Sequence, residues 1–138
     1  MEITKVVIPT AGMGTRFFPL SRVVPKEFFP LADKPILQYI IEEVKKSGIK
    51  EVVFVIGPGQ KTALNYFQRS PKLEAFLVKR KKEKIIKELR EFEEIFEGIK
   101  FSFVLQTKPM GDGHAILQAA KKINGEAVAT AFGDDVFD

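Results

Sequence analysis

The 138-residue sequence contains no cysteine, which excludes disulfide scaffolds, thiolate metal sites and cysteine nucleophiles. It contains one histidine, His114, so neither a histidine metal cluster nor paired-histidine chemistry is available. No apolar run approaches the ~20 residues of a membrane span. The N-terminus has no secretory-signal pattern. The expected location is therefore the cytoplasm, with no membrane partner. Neither sign of charge dominates. Lys and Arg number 22 against 18 Asp and Glu, a net +4 that suits an anionic small molecule as well as a polymer. What the sequence does have is 13 Phe, 45% hydrophobic residues and 29% charged residues. That is the composition of one globular domain with a strongly aromatic core.

Apolar runs alternate with helical patterns along the chain. Residues 3–9 (ITKVVIP) read as a strand running into a glycine-rich stretch. Ile36, Leu37, Ile40, Ile41 and Val44 form one helical stripe after Pro35, which suits a first turn, and Gly48 suits the cap that ends it. Residues 51–56 (EVVFVI) read as a buried strand stopped by Gly57-Pro58-Gly59, and a short helix is expected over 60–68. A long polar helix is expected over 79–97, with Ile85, Leu89, Phe92 and Phe96 on its inner stripe. A strand over 99–106, a helix marked by Ala115, Ile116, Ala119, Ala120 and Ile123, and a strand over 127–132 complete the series. Such alternation predicts an α/β fold, a Rossmann-like three-layer sandwich with a mostly parallel sheet.

Ligands of parallel sheets bind beyond the carboxyl ends of the strands. Three segments follow strands here, residues 10–26, 106–114 and 133–138, and they should meet at one edge. The first holds Gly12-Met13-Gly14-Thr15-Arg16 and then Pro25-Lys26-Glu27. Glycines after a strand let backbone N–H groups approach a phosphate, and Arg16 and Lys26 add a forked and a compact cation. The same spacing also serves a tight turn. It is not a dinucleotide fingerprint, because Phe17 replaces the third glycine, and no Gly-Lys-Ser/Thr closes it as a P-loop. The third segment presents Asp134 and Asp135, which fit either a Mg²⁺ site facing phosphates or a solvated turn. In the middle segment, Gly111-Asp112-Gly113-His114-Ala115 opens a helix. His114 reads there as a residue of the helix N-terminus rather than a catalyst, and Gln106 could present its amide to a nucleobase edge. The basic run 79–87 (KRKKEKIIK) reads first as a solvated helix face, since Glu88, Glu91, Glu93 and Glu94 follow it. A nucleic-acid footprint is the less favoured reading.

Together these residues resemble a known signature. Gly12-x-Gly14-Thr15-Arg16-x-x-Pro19, Pro25-Lys26-Glu27-x-x-Pro30 and Lys34-Pro35 are similar to the motif of sugar-1-phosphate nucleotidylyltransferases, with likeness from residue 3 to the end. Leu73-Glu74-Ala75 before the basic run, and Gln106 followed by Gly111-x-Gly113-His114-Ala115, resemble the bacterial branch that transfers UMP from UTP to glucose 1-phosphate. The resemblance implies that Ala11 and Gly12 contact uracil and ribose, and that Gly14, Thr15 and Arg16 wrap the triphosphate. It further implies that Lys26 neutralises charge at the α-phosphate with Glu27 beside it, that Gln106 and Gly111 read the uracil edge, and that Asp134 holds Mg²⁺. Arg16 and Lys26 are the implied catalytic residues. Asp112, where relatives carry Leu, and Ser21, where they carry Thr, depart from the pattern. The resemblance also implies that residues 1–138 are the nucleotide-binding N-terminal part of a truncated nucleotidyltransferase fold, without its sugar-binding C-terminal part. The partners are then UTP and a sugar 1-phosphate, not a nucleic acid, with completion by a homo-oligomer or by the missing part. A UTP-binding fragment inactive on its own, and a thymidylyltransferase, are the alternatives.

Overall fold

Four strands, β1 (Lys5–Pro9), β4 (Glu51–Ile56), β5 (Lys100–Leu105) and β6 (Ala129–Thr130), form one all-parallel sheet in the order β5-β4-β1-β6. The computed structural model describes residues 2–108 and 110–133. A separate antiparallel pair, β2 (Pro30–Leu31) and β3 (Lys34–Pro35), closes a tight turn before the first long helix. The alternation of side chains along each strand assigns them to two cores. Val6, Ile8, Val52, Phe54 and Ile56 face α1 (Ile36–Lys46) and α2 (Thr62–Phe67), while Val7, Val53 and Val55 face α5 (Asp112–Gln118). Helices therefore cover both faces, the expected three-layer arrangement. β4 reads as a continuous apolar run because it is central and buried on both sides.

Most expected elements lie within a residue or two of those observed, the usual scatter of element ends. Pro35 sits at the N-cap of α1 rather than inside its first turn, and Gly48 follows the Ser47 C-cap. The helix expected over 115–123 divides at Ala119 into α5 and α6 (Ala120–Ile123), and β6 is shorter than the 127–132 expected.

The long helix expected over 79–97 is shorter, α4 (Glu83–Ile95), and a break at residues 80–82, where Lys81 adopts φ 55°, separates it from α3 (Pro71–Lys79), a helix that was not expected. Ser70 caps α3 by accepting from Leu73 N at 3.3 Å, with Pro71 in its first turn. The physical reason for the break lies in Leu77 and Ile86, both buried. At 3.6 residues per turn, positions nine apart fall on opposite sides of a straight helix. The turn lets both face inward. It also resets the inner stripe to Ile86, Leu89, Phe92 and Phe96, leaving Ile85 47% exposed. Among the described residues no helix is long and apolar enough to cross a membrane.

Candidate functional site

Because the four strands are parallel, Pro9, Ile56, Leu105 and Thr130 end at one edge of the sheet. The segment after β1 starts from a firm anchor. Thr10 donates to the Val55 carbonyl through both its backbone N–H, at 2.8 Å, and its Oγ1, at 3.1 Å. The chain then passes Gly12, where a Cβ would meet no atom within 4 Å. Gly14 turns it back with φ 61° and ψ 39°, the left-handed region that costs an L-residue roughly 1–2 kcal/mol. A Cβ there would also lie 3.1 Å from Ser21 Cβ and 3.7 Å from Lys26 Cβ. Gly14 is thus the point where the two halves of the loop touch. Phe17, in the short helical turn Thr15–Phe17, packs edge-on against Phe29 with ring centroids 4.9 Å apart and ties the loop to the body.

This folding forms a cleft of about 280 Å³ whose lining includes Thr10, Gly12, Ser21, Arg22, Lys26 and Glu27 from the first segment. Gly59 and Gln60, after β4, form part of its other wall. Glu27 is only 3% exposed, in the turn Lys26–Phe28. Gly133, after β6, packs so closely on it that a Cβ would come within 2.7 Å of Glu27 Cγ. Only glycine fits there, and that contact brings the last strand end against the first segment.

One strand further along the edge, Gln106 extends the β5 ladder by donating its N–H to Ile56 O at 2.8 Å. Its side chain is 6% exposed. The amide nitrogen donates to Gly111 O at 3.3 Å and lies 2.9 Å from His114 Nδ1. Gln106, Gly111 and His114 are therefore one hydrogen-bonded unit that holds the N-terminus of α5 against the end of β5.

The structure brings Gly12, Lys26 and Glu27 into one cleft, with Gly14 at its hinge, whereas Gln106 and Gly111 do not line it and lie after β5, the strand next to β4. Ala11, Thr15 and Arg16 do not line the cleft, and Arg16 is exposed. Asp134 lies outside the described residues, and among those described no three His, Asp or Glu side chains are grouped to hold a metal. Sequence reasoning missed Arg22, Ser21, Gly59 and Gln60 as lining residues. The signal for the last two was present, since Gly57-Pro58-Gly59 also follows a parallel strand.

Larger cavities, of about 490 and 500 Å³, lie around α4. The first lies at the amino end of β5, against Gly98, Ile99 and Phe101, and the second between α3 and α4, against Val78, Ile86 and Arg90, so the cleft at the carboxyl ends of the strands is the better candidate. The perturbed titrations also lie elsewhere. The hydrogen bond from Arg90, assisted by Arg69, holds the Glu74 carboxyl below the usual carboxylate range. Burial, and then the Glu42 charge, push the Tyr66 phenol up.

The nucleotidyl transferase family model matches residues 5–138. The chain is 37% identical over 135 residues to the UTP–glucose-1-phosphate uridylyltransferase YngB of Bacillus subtilis, covering 98% of this chain and 44% of that protein. It is 36% identical over 137 residues to a UTP–glucose-1-phosphate uridylyltransferase of Streptococcus pyogenes, covering 99% and 44%. Among solved structures it is similar to the UTP-bound UGPase of Acinetobacter baumannii, with a TM-score of 0.85, 34% identity, and 96% and 46% coverage. A UDP-glucose pyrophosphorylase complexed with UDP-glucose gives a TM-score of 0.75 at 34% identity, with 96% and 46% coverage. The chain thus spans just under half the length of the relatives it matches.

Proposed function

Because the chain belongs to the nucleotidyl transferase family, we propose that it is the UTP-binding part of a cytoplasmic uridylyltransferase that transfers UMP from UTP to glucose 1-phosphate. The observation that carries this reading is the cleft built at the strand ends by the 10–28 segment. Its open side at Gly12 and its wall at Lys26 suit a nucleotide and its phosphates. The uridylyltransferase relatives support the choice of UTP.

The backbone at Ala11 and Gly12 faces the nucleoside, and the turn from Gly14 through Thr15 supplies N–H donors to the triphosphate. Arg16, exposed beside that turn, offers a planar fork of donors to the departing phosphates. Lys26 supplies a compact charge at the α-phosphate. An oxygen of the sugar phosphate attacks the α-phosphorus, a new P–O bond forms, and the bond to the bridging oxygen breaks as pyrophosphate takes the electron pair. Such a transfer asks for alignment and charge neutralisation rather than a protein nucleophile. Mg²⁺, when bound, neutralises charge on the phosphate oxygens. Asp134 would hold it, following directly on Gly133, which packs against the Glu27 side chain. The sugar pocket is supplied by a C-terminal part or by a second copy of the chain.

The coverage of under half of each relative favours a second reading, in which this chain binds UTP without turning it over. One assay separates the two: pyrophosphate release from the chain with UTP, glucose 1-phosphate and Mg²⁺, run beside a UTP binding titration. Release that disappears in Asp134→Ala establishes the transferase in the chain itself. Silence with measurable UTP binding selects the second reading, and absence of UTP binding overturns both.

A further inference from the structure

The hydrogen bonds around Gln106 carry more information than its position alone. The Gly111 carbonyl can only accept, so the Gln106 group facing it at 3.3 Å must be the amide nitrogen. A flipped amide would set two oxygens against each other. That same nitrogen lies 2.9 Å from His114 Nδ1 and is a donor, so Nδ1 must be the acceptor. The imidazole is then neutral, with its proton on Nε2. The structure sets Gln118 Nε2 3.2 Å from His114 Nε2, two donors facing each other in this tautomer, so the Gln118 amide must be turned over for its oxygen to accept that proton. Both hydrogens of the Gln106 amide are thereby committed, one to Gly111 and one to His114. Its oxygen has no hydrogen-bond partner among the described residues, and none of their buried side-chain polar atoms is left unsatisfied. The oxygen is therefore the amide atom left for a ligand at the sheet edge.

We infer that His114 is a positioning residue that locks the Gln106 amide with only its acceptor oxygen toward the ligand, so that the site admits a base with an N–H donor on its pairing edge and rejects one with an acceptor there. Uracil carries that donor at N3, whereas cytosine presents a lone pair. The inference rests on the reading that Gln106 meets the base. It adds the residue that decides how, and it makes discrimination depend on a histidine that does not itself contact the nucleotide.

The test is titration of the chain, His114→Leu and His114→Asn with UTP and with CTP, together with the ring-nitrogen NMR spectrum of the single histidine. The spectrum should show the Nε2-protonated neutral ring. The leucine variant should lower the preference for UTP over CTP about fivefold, the worth of one neutral hydrogen bond. The asparagine variant, which returns an acceptor near the Nδ1 position, should restore the preference to within about twofold of the parent. Where the leucine variant does not fold, Gln118→Leu replaces it and should lower the preference roughly two- to threefold by removing the Nε2 partner. A ring protonated on Nδ1, an unchanged preference in a folded leucine variant, or an equal loss of both nucleotides overturns the inference. A parent that binds neither nucleotide, or a Gln106→Leu variant with the parent's preference, overturns instead the base-reading role on which the inference rests.

Discussion

The face of the sheet covered by α1 and α2 and the edge where its strands end are built on opposite plans. On the face, Phe54, Phe67, Phe96 and Phe101 pack with ring centroids 5.0–6.4 Å apart, in stacked and edge-on pairs. Ion pairs among Arg69, Glu74, Arg90 and Glu93 border them. At the edge, Met13 is 69% and Val23 81% exposed, and a left-handed glycine shapes the loop. The contrast teaches where the free energy of folding arises. Aromatic burial on the face holds the sheet, which leaves the edge loops free to keep open backbone and exposed cations for a ligand. Stability and nucleotide binding should therefore separate under mutation.

The hardest test of that separation is Phe67→Ala, which empties the middle of the aromatic stack. Its expected cost is about 3–5 kcal/mol of unfolding free energy, read by denaturant titration, with UTP affinity unchanged in whatever fraction stays folded. A cost under about 1 kcal/mol would mean that the face is not the folding core. The reverse case is Arg16→Ala. UTP affinity should fall roughly ten- to hundredfold, the worth of a charge-assisted hydrogen bond, while the melting temperature stays put. Unaltered UTP binding would remove Arg16 from the site. Gly14→Ala is the place where the two properties meet, because the loop's fold is its function. It should cost roughly 1–2 kcal/mol and weaken UTP binding as well, and a stable variant with impaired binding would show that the loop strains without unfolding.

The smallest effect concerns the ion pairs. The Glu74 pKa is lowered, first by its hydrogen bond from Arg90 and then by Arg69. A depressed carboxylate adds stability that is present above its ordinary pKa and is lost as pH falls through the folded value. Arg90→Ala should therefore reduce stability at neutral pH slightly and flatten its decline in acid, leaving UTP affinity alone. A variant whose acid unfolding curve keeps the parent's slope would show that the pair contributes nothing.

The strands and the edge they share were legible in the chain. A run such as residues 51–56 must be buried on both sides, and parallel strands leave their following loops together. The signature from Gly12 to Lys26 was legible as well, because its residues are close in sequence. The hairpin of α3 and α4 was not, since local propensity through KRKKEK is helical and only the shared burial of Leu77 and Ile86 demands a turn. Nor could the chain show that Gln60 and Arg22 line the cleft, or that Gln106 is fastened to His114.

By itself, then, the sequence determined the α/β alternation, the aromatic core and the cluster of glycines and cations that a phosphate ligand requires. Local periodicity and composition carry that information one segment at a time. Only the tertiary structure decided that Gly133 seats against Glu27 and that Gly14 hinges against Ser21. It also decided that the Gln106 amide nitrogen sits between Gly111 O and His114 Nδ1. Each of those depends on which atoms of separate segments come within hydrogen-bond or van der Waals reach, a distance that no spacing along the chain specifies.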